Sequence, residues 1–456
     1  MRLFSLVRRP VSQVVALLPV GLAVALAASP NAGALEANPP QTASSTAQAP
    51  SNPTGSLSLR DAVSVALLQN PDLSSFAWEV RAREARALQA GRFSNPVLGV
   101  LAEDLGARPR IGDTLGRIQP QTTIELSQLI ELGGKRSARQ RLAATQRDLA
   151  SRDFEAVRLD VLTRVAQTFV DVLAGQEAMA LAQEARGTAE QVHKAVSLRV
   201  EAGVVSPIEE TKAGVALSAA RIEADKARRA LDTHRASLAA LWGSSEALFE
   251  SATGDLGVLP PVPALSDLRA RLSNNPDLAR WATEVAQREA TVSLESSKRW
   301  PDLTLTAGYR RFREIDSRAF LIGASIPLPL FDRNRDGIEE ARSRVSRALA
   351  EKRSAEARLA AALVTAHSAL NSAKEEIAAI EATVLPGAQS AFSAIEEGYR
   401  LGKFGILDVL DAQRILAGAR SQRLRALSQF HQAAASVERL VGQPIEETVV
   451  SPAPVQ

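Results

Sequence analysis

Apolar positions change period in a fixed order along this chain, and the order occurs twice. A helical spacing over 71–93 stops at Asn95-Pro96, and the same spacing stops again at Trp300-Pro301. Proline lacks an N–H and clashes with the preceding turn, so helix cannot continue there. Beyond each break the period falls from 3.6 to 2. Leu303, Leu305, Ala307 and Tyr309 alternate with Thr304, Thr306, Gly308 and Arg310. Phe320, Ile322, Ala324 and Ile326 alternate with Leu321, Gly323 and Ser325. In the first copy Thr122, Ile124 and Leu126 alternate with Glu125 and Ser127, whereas Val97 to Leu105 alternates poorly. These runs predict two antiparallel hairpins, with strands near 96–105, 118–130, 301–312 and 318–328 and polar loops at 106–117 and 311–318.

The helical period then returns for the longest stretches in the sequence. Gly134 to about Val200 carries Phe154, Val157, Val161, Val165, Phe169 and Val172 at steps of three and four. Its counterpart, Arg335 to Arg400, has mostly alanine at apolar positions and a central Pro386 that predicts a kink. A helix of this length spans about 100 Å, so it needs partners lying beside it rather than one compact globule. Each ends in a matching turn, EAGVVSPIEETKA at 201–213 and RLGKFGILDVLDA at 400–412. Gly203 corresponds to Gly402, Glu209 to Asp408 and Ala213 to Ala412, and glycine permits the positive φ of a helix stop. The chain returns as helix over about 207–242 and 407–441. A returning helix stacked end to end on a helix of the 71–94 type matches one long helix in length. The Gly-, Pro- and Ser-rich segment 243–275 would then be a belt at the junction.

The duplication is visible in letters too. NPDLSSFAWEVRAREA at 70–85 and NPDLARWATEVAQREA at 275–290 agree at ten of sixteen positions, at an offset of 205. A period this large marks two tandem structural units, 57–260 and 261–445. Three arginines, an apolar run and Ala32-Gly33-Ala34 make 1–34 a secretory signal peptide. The Pro-, Ser- and Thr-rich 35–56 reads as a disordered linker, and 446–456 as a loose tail. Strands of about ten residues with one apolar and one small or polar face suit a transmembrane β-barrel wall, and equally a soluble hairpin packed on a helix. Four strands close no barrel with a lumen, and an open edge in lipid is forbidden. If they span a membrane, several chains share one barrel.

Two copies of helix, hairpin, long helix and turn resemble the outer-membrane efflux proteins of the TolC family. The likeness lies in the duplicated NPDL helix and in Tyr399-Arg400-Leu401-Gly402 followed by LDVLDA at 407–412. ELGGKR at 131–136 is similar to the strand-to-helix join of the heavy-metal cation (CzcC-type) branch. The resemblance implies a mainly α chain with a membrane β part, assembled as a homotrimer. A twelve-stranded barrel in outer-membrane lipid would continue into a periplasmic α-helical barrel. It also implies docking onto a periplasmic adaptor (membrane fusion) protein and an inner-membrane RND pump, with divalent heavy-metal cations as cargo. An organic-solute duct, a type I protein-secretion duct and a periplasmic coiled-coil scaffold stand as alternatives.

Asp408 and Asp411 are spaced i, i+3 and so share one helix face just past the turn. In a trimer they would form two stacked carboxylate rings, which favour cations. The resemblance puts the entrance-constricting aspartates at these two positions, with Glu209 as the first-copy counterpart and Lys212 where a second acid would fall. Alternatively, acids in a first helical turn complement the helix dipole and face water. Gly203, Val204, Ser206, Gly402, Lys403 and Gly405 form the turn tips, where adaptor hairpins would dock.

Composition narrows the chemistry. Net charge is +3 with three of the arginines in the leader, so the mature chain is near neutral and nothing points to nucleic acid. The chain has no cysteine, hence neither thiolate ligands nor a lipid-acceptor cysteine. His193, His234, His367 and His431 show no i, i+4 pair, so no metal site is expected. No nucleophile-elbow, phosphate-loop, zinc-protease or dinucleotide motif occurs, so neither enzyme nor cofactor is expected.

Overall fold

The computed structural model describes residues 52–103, 105, 121–312 and 317–445. The expected signal peptide, most of the linker, the hairpin tips at 106–120 and 313–316, and the tail at 446–456 lie outside those residues. The first copy runs β1 (Gly55–Ser58), α1 (Leu59–Gln69), α2 (Pro71–Ala90), β2 (Val97–Glu103), β3 (Gln121–Ile130), α3 (Lys135–Glu201) and α4 (Pro207–Ala240). A belt with β4 (Phe249–Thr253), α5 (Leu265–Arg271) and one 3₁₀ turn leads into the second copy. That copy runs α6 (Pro276–Ser297), β5 (Leu303–Phe312), β6 (Ser317–Ser325), α7 (Arg335–Ala379), α8 (Leu385–Arg400) and α9 (Ile406–Val441).

The helices form a wall four rods wide. α3 packs against α2 and α4 on one flank and against α6 and α9 on the other, and α7 packs on α6 and α9. Two of the rods are therefore composite, α2 stacked on α4 and α6 stacked on α9. The repeated Asn-Pro makes both joints. Asn70 caps α2 by accepting from the Leu73 N–H at 2.9 Å, while its amide donates to the Leu241 carbonyl at the end of α4, 2.7 Å away. Asn275 accepts from the Asp277 N–H at 2.7 Å and donates to the Leu440 carbonyl of α9 at 2.7 Å. Gly243 and Gly442, both at positive φ, end the lower helices against Pro71 and Pro276. One buried side chain thus starts one helix and satisfies the end of another.

Pro386 does not break the second long rod. The five residues Ile380–Val384 form a widened π turn just before it, which absorbs the lost N–H, and helix resumes as α8.

The belt wraps this joint. Val161, Val165, Phe169 and Val172 of α3 are buried with Leu231 and Leu238 of α4, with Trp242 just beyond its end, and with Leu57 and Phe249 from β1 and β4. A second cluster centres on fully buried Phe430, with Leu363, Leu370 and Ile377. His367 Nε2 meets the Pro263 carbonyl at 3.1 Å and His431 Nε2 the Leu256 carbonyl at 2.9 Å, so two of the four histidines hold the belt to α7 and α9. Gly55 and Ser56, expected in a disordered linker, instead belong to β1, which pairs in parallel with β4. A partner some 190 residues away, and a run of four residues, leave no local periodicity to read.

The four remaining strands make one antiparallel sheet in the order β2-β3-β5-β6. Its register sets Val100, Ile124, Tyr309 and Phe320 in one row and Leu98, Leu126, Ala307 and Ile322 in the next. This apolar face is the more exposed one, with Phe320 and Ile322 each at 89%. On the opposite face Thr123, Glu125, Ser127, Thr306 and Arg310 are more shielded, Thr123 almost fully, whereas Val97 and Leu101 of the edge strand β2 and Leu129 near the end of β3 are exposed. That difference marks a curved sheet, convex and apolar outside, concave and polar inside. Among the described residues β2 and β6 are bare edges.

One carboxylate in the wall is half-buried. Burial raises Asp171 above its ordinary range, opposed by nearby His234 and by a 2.6 Å hydrogen bond from the Gln432 amide. A raised folded-state pKa means the ionised form weighs against folding at neutral pH, and the protonated form favours it at low pH.

Two outcomes are expected in urea unfolding followed by helical circular dichroism. Asn275→Ala removes a cap and strands a buried carbonyl, lowering stability by about 2 kcal/mol, with Asn275→Asp recovering part by keeping the cap. Asp171→Asn raises the urea midpoint at pH 7, and that gain fades as pH falls through the ordinary carboxylate range.

Candidate channel entrance

At the end of the rods away from the sheet, both long helices stop by the same backbone device. Gly203 and Gly402 each sit at φ 72°. The Val204 N–H reaches the Arg199 carbonyl at 2.9 Å, and the Lys403 N–H reaches the Gly398 carbonyl at 2.8 Å. A side chain at either glycine would meet no atom within 4 Å. Positive φ, not crowding within the chain, is what requires glycine here.

The two turns differ in how the next helix begins. Ser206 caps α4, its hydroxyl accepting from the Ile208 N–H at 3.4 Å. In the second turn Gly405 has no side chain to offer. Instead Asp408 folds back and its Oδ2 accepts from the Gly405 N–H at 2.9 Å. Asp411, one turn on, is exposed and receives Arg414 Nη1 at 3.5 Å. Glu209 lies partly exposed in the first turn of α4, beside Glu210, which accepts from the Ser197 hydroxyl at 2.7 Å. Lys212 is exposed.

The turns are fastened to each other. Val196, Ala213, Ile406 and Val409 form a buried cluster across them. The Arg199 guanidinium lies 5.0 Å from the centre of the Tyr399 ring. Arg199 corresponds in the repeat to Gly398, on which the Phe404 ring rests so closely that a side chain there would collide. Glu209, Asp408 and Asp411 are thus brought to one end of the molecule, although no hydrogen bond or ion pair joins them among the described residues. Val204, Ser206, Lys403 and Gly405 are exposed at the same end. The Arg414 partner of Asp411 was legible as an i+3 pair. The Arg199–Tyr399 contact, 200 residues apart, was not.

At the opposite end, where sheet meets helices, apolar side chains ring the exterior. Phe93, Trp300, Leu328 and Leu330 are largely exposed and Phe331 is fully so. With the convex face above them, they form an exposed apolar band bordered by aromatic residues. Among the described residues no helix is long and apolar enough to cross a membrane. No group of three or more His, Asp or Glu that would hold a metal occurs among them either.

An open sheet with one largely apolar face, continued by a wall of tunnel-length rods, defines the class, a subunit of an envelope duct. The chain belongs to the outer membrane efflux protein family, whose model matches residues 62–244 and 268–443. It is 37% identical to the cobalt-zinc-cadmium resistance protein CzcC of Cupriavidus metallidurans, over 93% of this chain and 99% of that protein. It is 31% identical to the nickel-cobalt-cadmium resistance protein NccC of Alcaligenes xylosoxydans, over 72% and 73% of the two chains. In fold it matches crystal structures of CusC, with a TM-score of 0.71 at 18% identity over 84% and 92% of the chains. The structure of VceC from Vibrio cholerae matches with 0.69 at 18% identity, over 85% and 97%. The chain is an outer-membrane efflux component.

Asp408→Ala should expose the Gly405 amide and reduce hydrogen-exchange protection of the first turn of α9 by about 1 kcal/mol. Asp408→Asn, which retains an acceptor oxygen, should lose less.

Proposed function

We propose that three copies of this chain close one twelve-stranded barrel in outer-membrane lipid and one helical tunnel beneath it. The assembly is the passive exit duct of a tripartite RND-type efflux system. Its cargo is a divalent heavy-metal cation. The observation that carries this reading is the near full-length likeness to a cobalt-zinc-cadmium resistance protein, joined to a sheet whose two edges are bare. A leader over residues 1–34 delivers the chain across the inner membrane. The chain performs no chemistry of its own.

Asp408, Asp411 and Glu209 constrict the periplasmic end. In the trimer the aspartates stack as two acidic rings, and like charges brought together at a pore mouth resist closure unless countered. Arg414, already beside Asp411, is the group placed to counter them. Gly203, Val204, Ser206, Gly402, Lys403 and Gly405 receive the hairpins of a periplasmic adaptor, which links the tips to the inner-membrane pump. The exposure of those tips supports this docking.

Deleting the gene should sensitise cells to zinc, cobalt or cadmium, whereas sensitivity confined to antibiotics would favour an organic cargo. Purified protein should insert into planar bilayers as a trimer and conduct. The double variant Asp408→Asn/Asp411→Asn should change single-channel conductance severalfold, and no change would remove these residues from the constriction.

A further inference from the structure

Among the described residues, the concave face of the sheet carries three charged side chains, Glu103, Glu125 and Arg310. Arg310 is already engaged. Its Nε donates to the Thr123 hydroxyl at 2.9 Å, and its Nη2 lies 3.6 Å from Glu103 Oε2. That pair neutralises itself. Glu125 has neither ion pair nor side-chain hydrogen bond among the described residues.

The row containing Glu125 is built around it. In register, Gly99 of β2 and Gly308 of β5 flank it on both sides. A Cβ at Gly99 would stand 3.1 Å from Glu125 Cγ and 3.2 Å from its Oε1. At Gly308 it would stand 2.9 Å from the Ile124 carbonyl and 3.2 Å from Glu125 Cβ. The Glu125 side chain therefore occupies the room that both missing side chains leave. Hydroxyls border it along the strands, Thr123 on one side and Ser127 with Thr306, 3.1 Å apart, on the other. A carboxylate without an ion pair thus stands on the concave surface between two glycines, with Arg310 one row away and held by Thr123 and Glu103.

We infer that Glu125 sets the charge selectivity of the barrel lumen, an inference resting on the proposed trimeric duct. Three copies place three carboxylates at one level of the bore, far from the acidic entrance at Asp408 and Asp411. Twelve strands about 4.8 Å apart and tilted by about 40° enclose a backbone ring roughly 24 Å across. Carboxylates reaching about 5 Å inward then stand within about 8 Å of the axis. The screening length is about 10 Å at 0.1 M salt and about 30 Å at 0.01 M. The ring's field therefore spans the bore in dilute salt and collapses onto the wall in concentrated salt, passing cations and turning back anions.

The test is the reversal potential of the reconstituted full-length channel in potassium chloride gradients. Wild type should prefer potassium by about threefold or more in the 0.01 M range and lose that preference near 1 M. Glu125→Gln should bring the permeability ratio close to unity, Glu125→Lys should invert it, and Glu125→Asp should retain most of it. A Glu125→Gln channel as selective as wild type in dilute salt overturns the inference while leaving the duct intact. Should Glu125→Gln fail to insert, a wild-type ratio that does not vary with salt overturns it equally. Wild-type protein that never conducts refutes the duct itself.

Discussion

Everything in this structure depends on two unpaired strand edges. β2 and β6 present rows of N–H and C=O groups with no partner strand among the described residues. In hydrocarbon each such group is penalised by several kcal/mol, because no water is present to bond it. In the proposed duct the apolar convex face meets lipid, and lipid forbids open edges. In that duct, further strands supplied by other copies would resolve the conflict. The helical wall is incomplete in the same sense. α3 has neighbours on both flanks, whereas the stacked α2 and α4 on one side and α7 on the other have a neighbour on one flank only. Sheet and wall therefore call for lateral partners at the same two margins.

A single-layer wall of great length needs rods that do not buckle, and here half of the rods are made of two pieces. The buried asparagine of the Asn-Pro-Asp-Leu repeat solves the joint. Its oxygen caps the helix that follows, and its amide closes the helix that ends beside it. Proline fixes the first turn and needs no donor there. The belt then covers the joint with the two largest apolar clusters among the described residues. What looks in the sequence like a family signature is a splice between helices.

At the proposed entrance Asp408 joins a local role that the structure shows to a place in the acidic ring of the proposed trimer. Asp408 caps α9 because glycine at the N-cap cannot, and the positive end of that helix stabilises its charge. The local role holds a carboxylate in the position that assembly would use for an acidic ring. The first turn has no such arrangement, since Ser206 caps α4 and leaves Glu209 without that duty. The two copies have thus diverged at the place where they would meet the pump.

Local periodicity determined much of this protein from the sequence alone. Helix and strand periods, proline stops, glycine turns and the duplication follow from side-chain spacing and backbone sterics, which act over a few residues. The two faces of β5 and the stacking of a short helix pair beside a long one were legible for that reason. Tertiary structure decided what distance in the chain conceals. The β1–β4 pairing, the Asn70 and Asn275 joints, Arg199 over Tyr399, and the Gly99–Glu125–Gly308 row each join residues whose partners are set by packing and register. No local pattern encodes register between distant strands, because alternation repeats every two residues and fits many alignments equally.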